Sequence, residues 1–104
     1  MKSRGELKTP GGKLIAAEFA VEDGVLRDVV VTGDFFLYPE EALPLLTRAL
    51  ESSPASLDEA SYAARIRTAL DSRAELVGSS PEALAAAVVR ALGDRAALER
   101  DNDG

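Results

Sequence analysis

The apolar pattern of this chain changes period once, and that change limits the folds open to it. Up to Thr32 apolar residues recur at every second position, and beyond Pro39 at every third or fourth. The first spacing is the side-chain repeat of a strand and the second that of a helix. The junction is Gly33-Asp34-Phe35-Phe36-Leu37-Tyr38-Pro39, where three of the five aromatic residues stand, in a chain with no Trp. Large apolar groups crowded at a strand-to-helix corner either lock it into the core or present a surface to a partner.

The β part divides at its turn residues. Glu6 to Thr9 is a short strand ended by Pro10-Gly11-Gly12, a strong turn signal. Lys13 to Glu22 is a second strand, with Ile15, Ala17, Phe19 and Val21 on one face. Asp23-Gly24 is the expected pair for a two-residue type I′ hairpin, since both positions need positive φ. Val25 to Thr32 returns as a third strand, and its broken alternation at Arg27-Asp28 points to a bulge. These strands make an antiparallel three-stranded meander.

The helical part follows the same logic. Pro39 suits a helix start, and Glu40 and Glu41 suit the positive end of its dipole. Leu43, Leu46 and Leu50 form a stripe, and Pro44 is tolerable only near the first turn. Ser56-Leu57-Asp58-Glu59 has the form of a capping box for a helix running to about Leu70, with Leu57, Ala60, Ala63, Ile66 and Leu70 apolar. Leu76-Val77-Gly78 reads as a connector. Ser80-Pro81-Glu82 opens a last helix carrying Leu84, Val88 and Leu92, which Gly93 is expected to stop. Residues 94–104 are read as a charged, fraying tail and 1–93 as one domain. Strands first and helices after gives an α+β fold, a three-stranded antiparallel sheet with about three helices on one face.

Composition excludes whole classes of chemistry. With no Cys and no His, thiolate nucleophiles, imidazole bases and Cys/His zinc sites cannot be built. Twelve Lys+Arg against eighteen Asp+Glu give a net charge of −6, which disfavours a nucleic-acid partner. No apolar run is long enough for a signal peptide or a membrane span, so a soluble, cytoplasmic protein is expected, with no membrane partner.

Few motifs compete for a chemical role. Gly11-Gly12-Lys13 lacks the spacing of a phosphate-binding loop and precedes a strand, so a hairpin turn is the better reading. If the Asp23-Gly24 hairpin is regular, its ladder sets Lys13 opposite Asp34, joining a cation and a carboxylate beside the aromatic corner; a single bulge would break that register. Asp34 is alternatively a short side chain bonding backbone N–H groups at a turn. Glu40 and Glu41 read as dipole partners, Tyr62 as a packing residue, and Arg65, Arg67 and Arg73 as solvated surface. For Phe35-Phe36 core and partner contact stand even, since strand neighbours point to opposite sides.

Gly11-Gly12-Lys13-Leu14-Ile15, then Asp23-Gly24 with Leu26, Asp28, Val29 and Val31, then Gly33-Asp34-Phe35-Phe36-Leu37-Tyr38-Pro39-Glu40, resemble the accessory domain of lipoate–protein ligases. Gly78-x-Ser80-Pro81-Glu82 before the last helix is similar to that domain's ending, so the likeness covers roughly residues 5–93. Gly-Asp-Phe-Phe followed by Pro-Glu is its most specific part. In some such ligases the domain ends a longer chain; in others it is a separate subunit, and this chain, with its own Met1, is read as the second kind.

The resemblance implies a non-catalytic subunit of a heterodimeric ligase. The catalytic subunit would hold ATP, Mg and lipoate, make lipoyl-adenylate and pass the lipoyl group to a lysine of an acceptor protein. The small subunit would supply no chemical group, bind no cofactor or metal of its own and be required for adenylation. Gly12, Lys13, Gly33, Asp34, Phe35, Phe36 and Pro39 carry over as structure or interface, none as a catalyst. The domain is also similar in fold to iron–sulphur scaffold proteins, whose chemistry needs cysteines this chain lacks. Two other readings stand beside this one. One is a binding module for a lipoyl-domain or carrier protein, and the other a small enzyme using Lys13 and Asp34.

Overall fold

The computed structural model describes residues 2–9, 13–71 and 73–103, with side chains as far as Gly93. Strands β1 (Lys2–Lys8), β2 (Leu14–Glu22) and β3 (Val25–Gly33) form the antiparallel meander in the order β1-β2-β3. Asp23 and Gly24 both take positive φ, 54° and 78°, as a type I′ turn demands. The turn expected at Pro10-Gly11-Gly12 lies outside the described residues, and with it Gly12. β1 is longer than its apolar content indicated, because its outward side chains are charged and only Ser3, Gly5 and Leu7 face inward.

The bulge is present. Glu22 pairs with Val25 and Ala20 with Arg27, but Glu18 then pairs with Val30 and Ile15 with Gly33. One extra β3 residue is absorbed around Asp28, whose φ is 53°.

Beyond β3 the chain makes a second, two-stranded sheet that the sequence did not reveal. β4 (Phe36–Tyr38) pairs antiparallel with β5 (Glu75–Val77), the segment expected to be only a connector. Both strands have three residues, too few for a periodicity to register. Pro39 follows a cis peptide bond and does not open an α-helix; it precedes a 3-10 turn, Glu40–Ala42. The first α-helix, α1, is Leu43–Leu50, and Pro44 sits in its first turn, where no intrahelical bond is lost.

Helix α2 is Glu59–Leu70, and its cap is Asp58 in place of the expected Ser56: the Asp58 carboxylate accepts from the Ser61 N–H at 2.8 Å. Hydrogen bonding to the charged form, from the Ser61 side chain first and its N–H second, holds the Asp58 carboxyl below its ordinary range. Helix α3 is Pro81–Asp103 and continues through Gly93. A glycine stop needs left-handed backbone, and good helix formers on both sides keep Gly93 in the helix.

Helix α3 lies across β1 and β2, α1 lies beside β3, and α2 packs on both helices. The core between the layers holds Ile15, Phe19, Leu26, Leu46, Leu50, Tyr62, Ile66, Leu84 and Val88, all fully buried. Each such aliphatic or Phe side chain contributes about 1.5–3 kcal/mol by leaving water. Tyr62 is a packing residue with its hydroxyl satisfied, donating to the Pro54 carbonyl at 2.6 Å. Burial pushes its pKa up. The opposite face of the sheet carries Lys2, Arg4, Glu6 and Glu18, whose ion pairs lie in solvent. No helix among the described residues is long and apolar enough to cross a membrane.

Candidate functional site

Most of the singled-out residues meet where β3 ends. Gly33 pairs with Ile15 at a φ of 149°, and a methyl there would fall 2.4 Å from the Leu14 carbonyl oxygen. Only glycine fits that approach. Next comes Asp34, whose N–H donates to the Leu14 carbonyl at 2.8 Å while its carboxylate accepts from the Leu14 N–H at 3.0 Å. Asp34 thus closes the ladder with its side chain, the backbone-bonding role of an acid at a turn.

The bulge decides against the Lys13–Asp34 pair. It moves the register by one, so Asp34 faces Leu14, and no ion pair joins it to Lys13. Lys13 instead lies against Gly78 at the far end of β5. A Cβ at Gly78 would stand 3.0 Å from the Asp34 carbonyl oxygen and 3.3 Å from Lys13 Nζ. Gly78 has a φ of 90°, a second reason for glycine there. The start of β2, the end of β3 and the end of β5 therefore converge, with Phe35 Cα beside them.

The aromatic window resolves by strand alternation. Leu37 is buried at 4% exposure, while its neighbours on β4, Phe36 and Tyr38, are exposed at 59% and 71%. Phe35, just before the strand, is half-buried against the core. Phe35 thus packs against the core, and Phe36 stands at the surface.

Beside Phe36 runs an open groove of about 530 Å³. It is lined by Val31–Gly33 from the end of β3, by Phe35–Leu37 and by Glu40 and Leu43. Leu43 was expected in the buried stripe with Leu46 and Leu50 but is 42% exposed. It is the first residue of α1 and overhangs the rim of the core. The 3-10 turn that positions Glu40 is held by the Ala42 N–H bonding to the Pro39 carbonyl at 3.0 Å. Gly33, Asp34, Phe35, Phe36 and Pro39 thus cluster at one corner, with Lys13 next to it. Sequence reasoning missed Gly78 and Leu43 as members; the positive φ of Gly78 has no local signature beyond the glycine.

Chemically, the residues that line the groove bring apolar side chains, backbone amides, the Thr32 hydroxyl and the Glu40 carboxylate. Among the described residues no three acids gather around one cation position.

No family model matches the chain, and no curated protein matches it. Among solved structures, it is similar to a chain from an archaeal lipoylation system, a bi-partite lipoate protein ligase and its E2 lipoyl domain from Thermoplasma acidophilum. The superposition has a TM-score of 0.62 at 22% identity, covering 85% of this chain and 92% of that one. At that identity the likeness is one of fold.

Proposed function

We propose that this chain is the non-catalytic subunit of a two-chain lipoate–protein ligase, required for the ATP-dependent activation of lipoate to lipoyl-adenylate. Transfer to an acceptor-protein lysine follows on the catalytic chain, which holds ATP, Mg and lipoate. The observation that carries the reading is the corner at the end of β3. There Phe36 and Tyr38 are held in solvent beside an apolar groove, on a fold similar to a chain from a bi-partite ligase system. Exposed aromatic clusters of this kind mark interfaces. The absence of Cys and His from the chain fits a role without covalent chemistry.

Docking is a sufficient mechanism. An acyl-adenylate hydrolyses when water reaches it, and a second domain that closes the catalytic pocket excludes water and orders the reacting groups. On this chain the rigid parts of such a surface are Phe36, fixed by the β4–β5 pairing, and Glu40, fixed by its turn.

The test is lipoate-dependent ATP–pyrophosphate exchange by the catalytic chain, with and without this one. Exchange that appears only on mixing is the expected result. Equal exchange in both samples removes the activation role and turns attention to docking on a lipoyl-domain or carrier protein.

A further inference from the structure

The groove runs along an edge of β3 that no described element covers. Backbone groups of an antiparallel strand alternate in direction, so every second residue of an edge strand turns its N–H and C=O away from the sheet. The phase on β3 follows from Asp34, whose N–H bonds to Leu14, in a register that pairs Thr32 with Ala16 and Val30 with Glu18. Val30 and Thr32 therefore bond to β2, and Val29, Val31 and Gly33 turn outward. Nearer the hairpin the outward groups of Leu26 are taken by the loop after α1, through the Ser52 N–H and the Ser53 carbonyl. Among the described residues no hydrogen bond takes those of Val31 and Gly33.

We infer that this open edge receives an extended segment of the partner chain, added to β3 as a further strand. The inference rests on the accessory-subunit reading and specifies how the two chains join. Unpaired strand backbone is satisfied in register by another strand and by little else. The walls accept every second side chain of an added strand, because Phe36 and Leu43 leave apolar surface facing the groove. Glu40 in the groove's lining, on a chain of net charge −6, favours a lysine or arginine beside those apolar positions. A second copy of this chain fits badly. Antiparallel self-pairing centred on Val31 brings Asp28 of each copy to Asp34 of the other, two like-charge contacts added to the repulsion between acidic chains.

Amide hydrogen exchange read by NMR on the labelled full chain tests the register residue by residue. On adding the catalytic chain, the Val31 and Gly33 amides are expected to slow by at least about tenfold, while Val30 and Thr32 are already slow in the free chain. If a complex forms and supports pyrophosphate exchange yet Val31 and Gly33 are unchanged, strand addition is overturned and the accessory reading stands. If the two chains do not associate, the accessory reading fails and a second probe decides the edge alone. That probe is a synthetic strand-length peptide of alternating valine and threonine with a lysine at one end, compared with the same peptide N-methylated at the amides that would face β3. Protection of Val31 and Gly33 by the first peptide alone supports the inference; protection by both or by neither overturns it. Glu40→Lys is expected to weaken the lysine-ended peptide by about two- to fivefold. Protection that grows with the concentration of this chain alone identifies a second copy as the occupant and also overturns it.

Discussion

Gly5→Ala tests the contact that sets the distance between sheet and helix. Gly5 sits mid-strand on β1 opposite Ala17, and α3 crosses directly over it. A methyl there would lie 2.3 Å from the Ala91 amide nitrogen, 2.5 Å from the Ala87 carbonyl oxygen and 2.9 Å from the Ala91 Cα. Ordinary carbon contacts lie near 3.5–4.0 Å, so strand and helix must part by about 1 Å. All three obstructing atoms are helix backbone, which has no rotamer to change, so the cost belongs at the upper end for overpacking, about 3 kcal/mol. Alanine also restricts the unfolded chain, which returns about 0.7 kcal/mol. The expected net loss is about 2 kcal/mol, or roughly 10 °C in Tm for a domain of this size.

Gly93→Ala is the matched control. It lies in the same helix, a methyl there meets nothing within 4 Å, and helix propensity predicts a gain of about 0.8 kcal/mol. Urea unfolding of both variants followed by circular dichroism measures the two changes on one scale. A Gly5→Ala protein within about 0.5 kcal/mol of the parent, the range of ordinary surface substitutions, would show that the Gly5–α3 approach does not set the spacing. Opposite signs for two glycine-to-alanine changes are hard to obtain from propensity alone.

Phe36→Ala is expected to leave stability within about 0.5 kcal/mol while cutting affinity for the proposed catalytic chain by about tenfold or more, whereas Leu37→Ala costs about 2–3 kcal/mol of stability; titration calorimetry and urea melts separate the two. Tyr62→Phe removes the hydroxyl donor to the half-buried Pro54 carbonyl, leaving it only the Leu57 N–H at 3.5 Å, and costs about 1 kcal/mol. Because burial raises the Tyr62 pKa in the folded state, the associated stability is complete below the unfolded tyrosine value of about 10 and is lost as pH rises through the folded one. Melts taken at rising alkaline pH should fall less steeply for Tyr62→Phe than for the parent. The Asp58 carboxyl is lowered, chiefly by its bond from Ser61, so its contribution is present above the unfolded carboxyl pKa and lost as pH falls through the folded one. Asp58→Ala should therefore lower stability at neutral pH and flatten the acid limb of that profile, with Asp58→Asn retaining most of the cap.

Local chemistry made much of the fold legible. Asp23-Gly24 announces a type I′ turn because few other pairs tolerate positive φ twice, and the broken alternation at Arg27-Asp28 announces the bulge. Pro44 and Pro81 locate first turns by the bond that proline cannot make. Two of the errors share a cause, which is that more than one local signal was available. Ser56 and Asp58 can both cap, and the choice fell to the residue whose carboxylate reaches Ser61. Gly93 can end a helix or continue one, and helical neighbours decided.

The sequence by itself determined the order and type of the large elements, the meander register near the hairpin, and the exclusion of thiol and imidazole chemistry, since each depends on residues close in the chain or on composition. Only the tertiary structure decided how the corner after β3 is used. The pairing of β4 with β5 joins segments far apart in sequence, and it turns Phe36 and Tyr38 outward while burying Leu37. The bulge shifts Asp34 from Lys13 to Leu14, a one-residue change whose consequence appears only when two strands are laid side by side. On the outer edge of β3 the loop after α1 bonds to Leu26, and among the described residues no hydrogen bond takes the outward groups of Val31 and Gly33. Which backbone groups remain unpaired is a property of the assembled sheet, because each bond needs a partner that only the fold supplies.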